Sequence, residues 1–97
     1  MILQLGNIGS HLGARMHGAE VRASIIEAFK TGDQKIVFDL SNVKSISNSF
    51  ADECFAKLVM FFPFEEVKAK TTFVNADPFI KSVIADAFKA RLSQTLV

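Results

Sequence analysis

The segment Ile36-Val37-Phe38-Asp39-Leu40 constrains this chain more than any other. It is nearly continuously apolar and β-branched at its start, the pattern of a strand held centrally in a sheet or covered on both faces. Ser41-Asn42 then turns the chain, and Val43 and Ile46 keep the connection pinned to the core. A helix is expected from about Ser49 to Phe62. Phe50, Cys54, Leu58 and Phe61 form one apolar stripe on it, and Ala51, Phe55, Val59 and Phe62 form a neighbouring one. Asp52, Glu53 and Lys57 are left on a narrow polar strip. Pro63 lacks the amide proton for the helix ladder and disfavours helical backbone at Phe62, so the helix should stop there.

Strand signals alternate with helix signals elsewhere too. Ile2, Leu3 and Leu5 before Gly6 read as a short first strand, and Gly6, Gly9, Ser10 and Gly13 mark a loop ending near Arg15. From Ala19 to Lys30 the apolar Val21, Ile25, Ala28 and Phe29 fall at helical spacing opposite Glu20, Arg22, Glu27 and Lys30. Thr31-Gly32-Asp33 stops that helix. Lys70 to Asn75 gives a third strand through Thr72, Phe73 and Val74. Asp77-Pro78 supplies an N-cap and a first-turn proline for a last helix, whose apolar face is Ile80, Val83, Ile84, Ala87 and Phe88 and which ends at about Leu92. The tail Ser93 to Val97 reads as a frayed end or a short edge strand. The β-α-β-α-β-α order predicts an α/β fold: a small, largely parallel or mixed sheet of three to four strands with three helices, residues 1–97 forming a single domain.

Composition narrows the function. A chain of 97 residues should bury roughly two-thirds of its unfolded surface in one core. The ten Phe residues, unaccompanied by Trp or Tyr, belong in that core or in a dry interface. A net charge of +1, with Lys and Arg dispersed, lacks the electrostatic footprint of a nucleic-acid binder. Cys54 is the only cysteine, which excludes an internal disulfide and fits a reducing, cytoplasmic setting. Leu58 to Phe64, the longest apolar run, is far short of a spanning helix, and no signal peptide follows Met1, so no membrane partner is expected.

Catalytic signatures do not assemble. There is no phosphate loop, nucleophile elbow or dinucleotide fingerprint. His11 and His17 read as solvated loop residues without metal-ligating neighbours. Asp52 and Glu53 are adjacent, hence about 100° apart on a helix, a poor arrangement for two carboxylates sharing a substrate. Cys54 falls on the buried stripe, where a thiol acts as a small hydrophobe. The expectation is a protein that is not an enzyme, with no catalytic residues, metal or cofactor.

The informative stretch is Asp39 to Glu53, where a buried strand passes through a polar turn to a helix start whose backbone N–H groups lack partners. Ser49 and Asp52 are spaced as a capping box. Ile36 to Leu58 resembles the strand, turn and helix of STAS domains, the anti-sigma-factor antagonists. Their Asp-Ser-Ser-Gly-Leu motif falls on Ser47-Asn48-Ser49-Phe50-Ala51, so the resemblance puts Ser49 at the phosphoacceptor position. A closer likeness is to the STAS-like family of unknown function, carried by Leu12-Gly13-Ala14-Arg15, Phe38-Asp39-Leu40, Ser49-Phe50-Ala51-Asp52-Glu53 and Val74-Asn75. Arg15 could offer a guanidinium fork to a phosphate, or pair internally with Asp39, Asp52 or Glu53.

Three functional readings follow. The leading one is a regulatory protein–protein interaction module. Its surface comprises Arg15, Ser47, Asn48, Ser49, Phe50 and Asp52, and the resemblance implies a histidine-kinase-like ATPase or a serine kinase as partner. The second is a nucleotide- or phosphate-sensing domain that holds the anion with Arg15 and the Ser49 helix N-terminus. The third is a self-associating structural domain, in which Phe61, Phe62 and Phe64 are covered by a second copy in a homodimer and not by the chain's own core.

Overall fold

The computed structural model describes residues 1–32 and 35–95. Strand β1 (Ile2–Gln4) leads through a 3₁₀ turn to the two-residue strand β2 (His11–Leu12) and then to helix α1 (Arg15–Thr31). Strands β3 (Ile36–Asp39) and β4 (Ser45–Ile46) precede helix α2 (Asn48–Cys54), a 3₁₀ stretch (Ala56–Met60) and helix α3 (Phe64–Lys70). Strand β5 (Thr71–Val74) and helix α4 (Pro78–Thr95) complete the fold. The main sheet is parallel with order β1-β3-β5, so Ile36–Asp39 is the central strand, as its apolar run implies.

Register decides which side of the sheet is buried. Leu3, Phe38 and Phe73 are aligned across the three strands and share one face with the buried Ile36 and Leu40. The opposite face carries Ile2, Val37 and Thr72, with Gln4, Asp39 and Val74 beside them, and Ile2 is 65% exposed. The described helices therefore cover one face, and central position rather than double coverage accounts for the apolar run.

The core is aromatic. Phe55 packs on Phe38 and Phe73 with ring centroids 4.9 and 5.1 Å apart, both edge-on, and Phe50 lies 6.3 Å from Phe55. Burying Phe50 and Phe55 together changes the expected long helix. It stops at Cys54, and the tighter winding of the 3₁₀ stretch redirects the following side chains, so Phe62 reaches Phe29 at 4.7 Å while Phe61 stays 55% exposed.

The other boundaries also shift. Pro63 ends this region but also serves as the N-cap of an additional helix, α3, making four α-helices among the described residues; Glu65 and Glu66 in its first turn and Lys68 and Lys70 in its last complement the helix dipole. Helix α1 begins at Arg15, four residues before the expected start at Ala19, and α4 continues through Ser93 to Thr95 instead of fraying after Leu92. Asp33, Leu96 and Val97, named in the expected helix stop and tail, lie outside the described residues. Asp77 caps α4 as its sequence implies, its Oδ1 accepting from the Ile80 N–H at 2.8 Å.

The glycine-marked loop is also more ordered than expected. Leu12 pairs with Ile46 in the parallel β2–β4 ladder, and the Ser47 N–H donates to the Leu12 carbonyl at 2.8 Å. This second sheet sets the start of α1 beside the start of α2. Gly18 allows the two helices to approach closely: a Cβ there would stand 3.1 Å from the Glu53 Cβ and 3.2 Å from the Phe50 carbonyl oxygen.

Candidate functional site

The cap of α2 is Ser47, not Ser49. Ser47 Oγ accepts from the Phe50 N–H at 3.0 Å and donates to the Gly13 carbonyl at 3.0 Å, tying both helix starts together. Ser49 is the second helical residue, and its hydroxyl makes no hydrogen bond among the described residues. The expected capping box of Ser49 and Asp52 is therefore replaced by a cap at Ser47 and a different use for Asp52.

Asp52 and Glu53 project from α2 toward different helices because adjacent residues diverge by about 100°. Asp52 receives a two-pronged contact from Arg91 of α4, Nε to Oδ1 at 2.6 Å and a terminal nitrogen to Oδ2 at 2.7 Å. Arg15 of α1 reaches Asp52 at 3.1 Å and Glu53 at 2.8 Å through one nitrogen. Glu53, only 8% exposed, also binds Arg22 at 2.8 Å and Lys57 at 2.6 Å. Arg22 further donates to the Glu53 carbonyl at 2.6 Å and lies 5.8 Å from the Phe61 ring centre. Among the described residues, cations outnumber carboxylates two to one in this network, which joins α1, α2 and α4.

Of the partners considered for Arg15, Asp52 and Glu53 are realised and Asp39 is not. The Asp39 carboxylate accepts from the Ser41 N–H at 2.9 Å, the Ser41 hydroxyl at 2.7 Å and Asn75 Nδ2 at 3.0 Å, which joins the ends of β3 and β5. These bonds, that of Asn75 foremost, lower its pKa. Asn42 and Asn75, with φ of 66° and 59°, supply the left-handed turns that close this arrangement.

A cleft of about 480 Å³ opens between Arg15, Asn48, Ser49, Asp52 and the α4 residues Asp86, Arg91 and Gln94. It gathers Arg15, Asn48, Ser49 and Asp52 from the residues expected at the site. Ser47 lies behind it as the cap, and Phe50 is fully buried, its ring in the core and not on the surface. Phe61, Phe62 and Phe64 do not form one patch: Phe61 is exposed beside Arg22, Phe62 packs on Phe29, and Phe64 lies 6.0 Å from Phe88.

The histidines are not both in a loop: His11 is in β2, its Nδ1 2.7 Å from Ser45 Oγ, and His17 lies in α1. Cys54 is buried at the α1–α2 contact, where desolvation raises its pKa far above the ordinary thiol value. Among the described residues no group of three or more His, Cys, Asp or Glu is placed to hold a metal ion, and no helix is long and apolar enough to cross a membrane.

Arg22, Lys57 and Arg91 join the site without having been expected there. Arg22 follows Arg15 by two helical turns and Lys57 follows Glu53 by one, so their shared faces were available as local signals. Arg91 is 39 residues from Asp52 and has no such signal.

The network predicts a specific acid response. Hydrogen bonds from Arg91 hold Asp52 at a pKa of about 2, and those from Lys57 and then Arg22 hold Glu53 at about 2. Folded-state values below those of the unfolded chain mean that the stabilisation is complete above the unfolded carboxylate range and is lost as pH falls through the folded values. Urea titrations should show stability level above about pH 5 and declining by about 2–4 kcal/mol towards about pH 2 through these two groups. The Asp52→Asn/Glu53→Gln variant should have a flatter acid limb; an unchanged limb would refute this assignment.

The chain belongs to the family of STAS-like domains of unknown function (DUF4325), whose model matches residues 17–81. This span includes Arg22, Ser49, Asp52, Glu53 and Lys57, and leaves Arg15 and Arg91 outside it. Comparisons with curated proteins and with solved structures return no match.

Proposed function

We propose that this STAS-like domain is a regulatory interaction module whose contact surface is the cleft where α1, α2 and α4 meet. The unused Ser49 hydroxyl carries this reading. Ser47 performs the capping, so Ser49 has no structural hydrogen bond to maintain among the described residues, and it lines a cleft flanked by Arg15 and Arg91. The ion pairs restrain both arginines before any partner arrives, reducing the entropy lost on docking. The STAS resemblance suggests a histidine-kinase-like ATPase or serine kinase as partner and makes Ser49 the candidate phosphoacceptor.

A phosphate on Ser49 would add about two negative charges to this cleft, attracted by its arginines and opposed by Asp52 and Asp86. Such a change would release the partner without rearranging the core. The test is a pull-down from native cells with the domain as bait, with mass spectrometry of the captured proteins and of Ser49. Wild type and Ser49→Ala should retain a common histidine-kinase-like ATPase or serine kinase, whereas Ser49→Asp should lose it at an unchanged melting temperature. Equal capture by all three forms would overturn this reading.

A further inference from the structure

Strand β5 closes one side of the main sheet, since the order ends β3-β5. Its Val74 carbonyl accepts from the Leu40 N–H at 3.0 Å, so Val74 directs its backbone groups to β3. By alternation, those of Phe73 point to the outer edge. A groove of about 550 Å³ runs along this edge, touching Thr71, Thr72 and Phe73 in succession. Side chains of consecutive strand residues point to opposite faces, so contact with all three places the groove along the edge and not on one face.

The groove combines an apolar floor with a single sign of charge. Val67, Phe73, Ile84 and Phe88 supply its floor, while Lys68 and Lys81 are among three lysines that line it, and no acidic residue lines it among the described residues. None of the three forms an ion pair among the described residues. It lies across α4 from the Ser49 cleft: Lys81, Ile84 and Phe88 face the groove, whereas Ala87, Arg91 and Gln94 face the cleft.

We infer that this edge docks an extended segment of a partner protein whose groove-facing positions are apolar at its centre and acidic at its ends. Such a segment would add a strand beside β5 and bond to the Phe73 backbone. Its central apolar side chains would enter the groove, and the carboxylates at its ends, on the same face of the added strand, would meet the lysines. Charge complementarity selects an acidic segment over a neutral one, and the exposed strand edge selects an extended backbone over a helix. This site is separate from the Ser49 cleft and does not depend on the function proposed for it.

The probe is a short fluorescein-labelled peptide with valine at alternate central positions and glutamates at both ends, titrated into the whole domain and followed by anisotropy and amide exchange. Binding should be saturable, weaken with salt, protect the Phe73 amide and fall by about tenfold or more in Lys81→Glu/Lys89→Glu. The corresponding lysine–valine peptide should not bind. These substitutions are on exposed positions, and an unchanged melting temperature verifies the fold. Absence of saturable binding, equal binding by the double variant or no protection at Phe73 would overturn the inference and leave the lysines as guards against edge-to-edge aggregation. Binding only to phosphatidylglycerol vesicles, or wild-type self-association that occludes the edge, would overturn it as well.

Discussion

Alanine at Phe55 should lower the unfolding free energy by about 3–5 kcal/mol, a large part of what a small domain possesses. Phe55 is fully buried and contacts the central strand through Phe38, the edge strand through Phe73 and its own helix through Phe50. Removing the ring would expose a cavity at the point where α2 gives way to the 3₁₀ stretch, and the three surrounding aromatic rings could close it only by leaving their own contacts. Urea denaturation should show a lower midpoint at an unchanged slope. Phe61→Ala is the matched control: with the ring 55% exposed, its cost should stay below about 1 kcal/mol. Similar costs at the two positions would refute the aromatic core described here.

Leucine at Glu53 should lower stability by about 2–4 kcal/mol. The substitution preserves much of the volume but removes the carboxylate shared by Arg15, Arg22 and Lys57. Arg22 and Lys57 are only 18% and 25% exposed, so water cannot fully replace the lost acceptor. Their mutual repulsion should make the variant more salt-sensitive than wild type, with stability recovering as ionic strength rises. Glu53→Gln, which retains hydrogen-bonding capacity without charge, should fall between them. Arg22→Leu in the Glu53→Leu background should recover part of the loss, because the cation left without its acceptor is removed; the coupling is read from a double-mutant cycle. Additive losses would show that the pair is energetically independent.

The same acid network links fold and surface. Asp52 and Glu53 join α2 to α4 and α1, positioning Arg15 and Arg91 on either side of Ser49. Weakening the acids should therefore loosen this surface before it disrupts the sheet, whose aromatic packing is separate.

Elements whose causes are local are legible in the chain. The apolar run at Ile36–Leu40 specifies the central strand, Asp77-Pro78 specifies the start of α4, and the strand–helix order specifies a parallel sheet. Local signals also marked α3, with Glu65 and Glu66 at its start and Lys68 and Lys70 at its end, but its seven residues are too few for a strong periodic pattern. Tertiary structure alone decided that Ser47 rather than Ser49 is the cap, because that choice depends on the β2–β4 pairing that brings the Gly13 carbonyl to Ser47. It also decided that Phe55 ends α2, because three rings from separate elements compete for the same interior space. Arg91 meets Asp52 across 39 residues of chain. Hydrophobic period and capping chemistry act over a turn or two, whereas this ion pair and the edge groove exist only once the helices have packed and β5 has become the last strand of the sheet among the described residues.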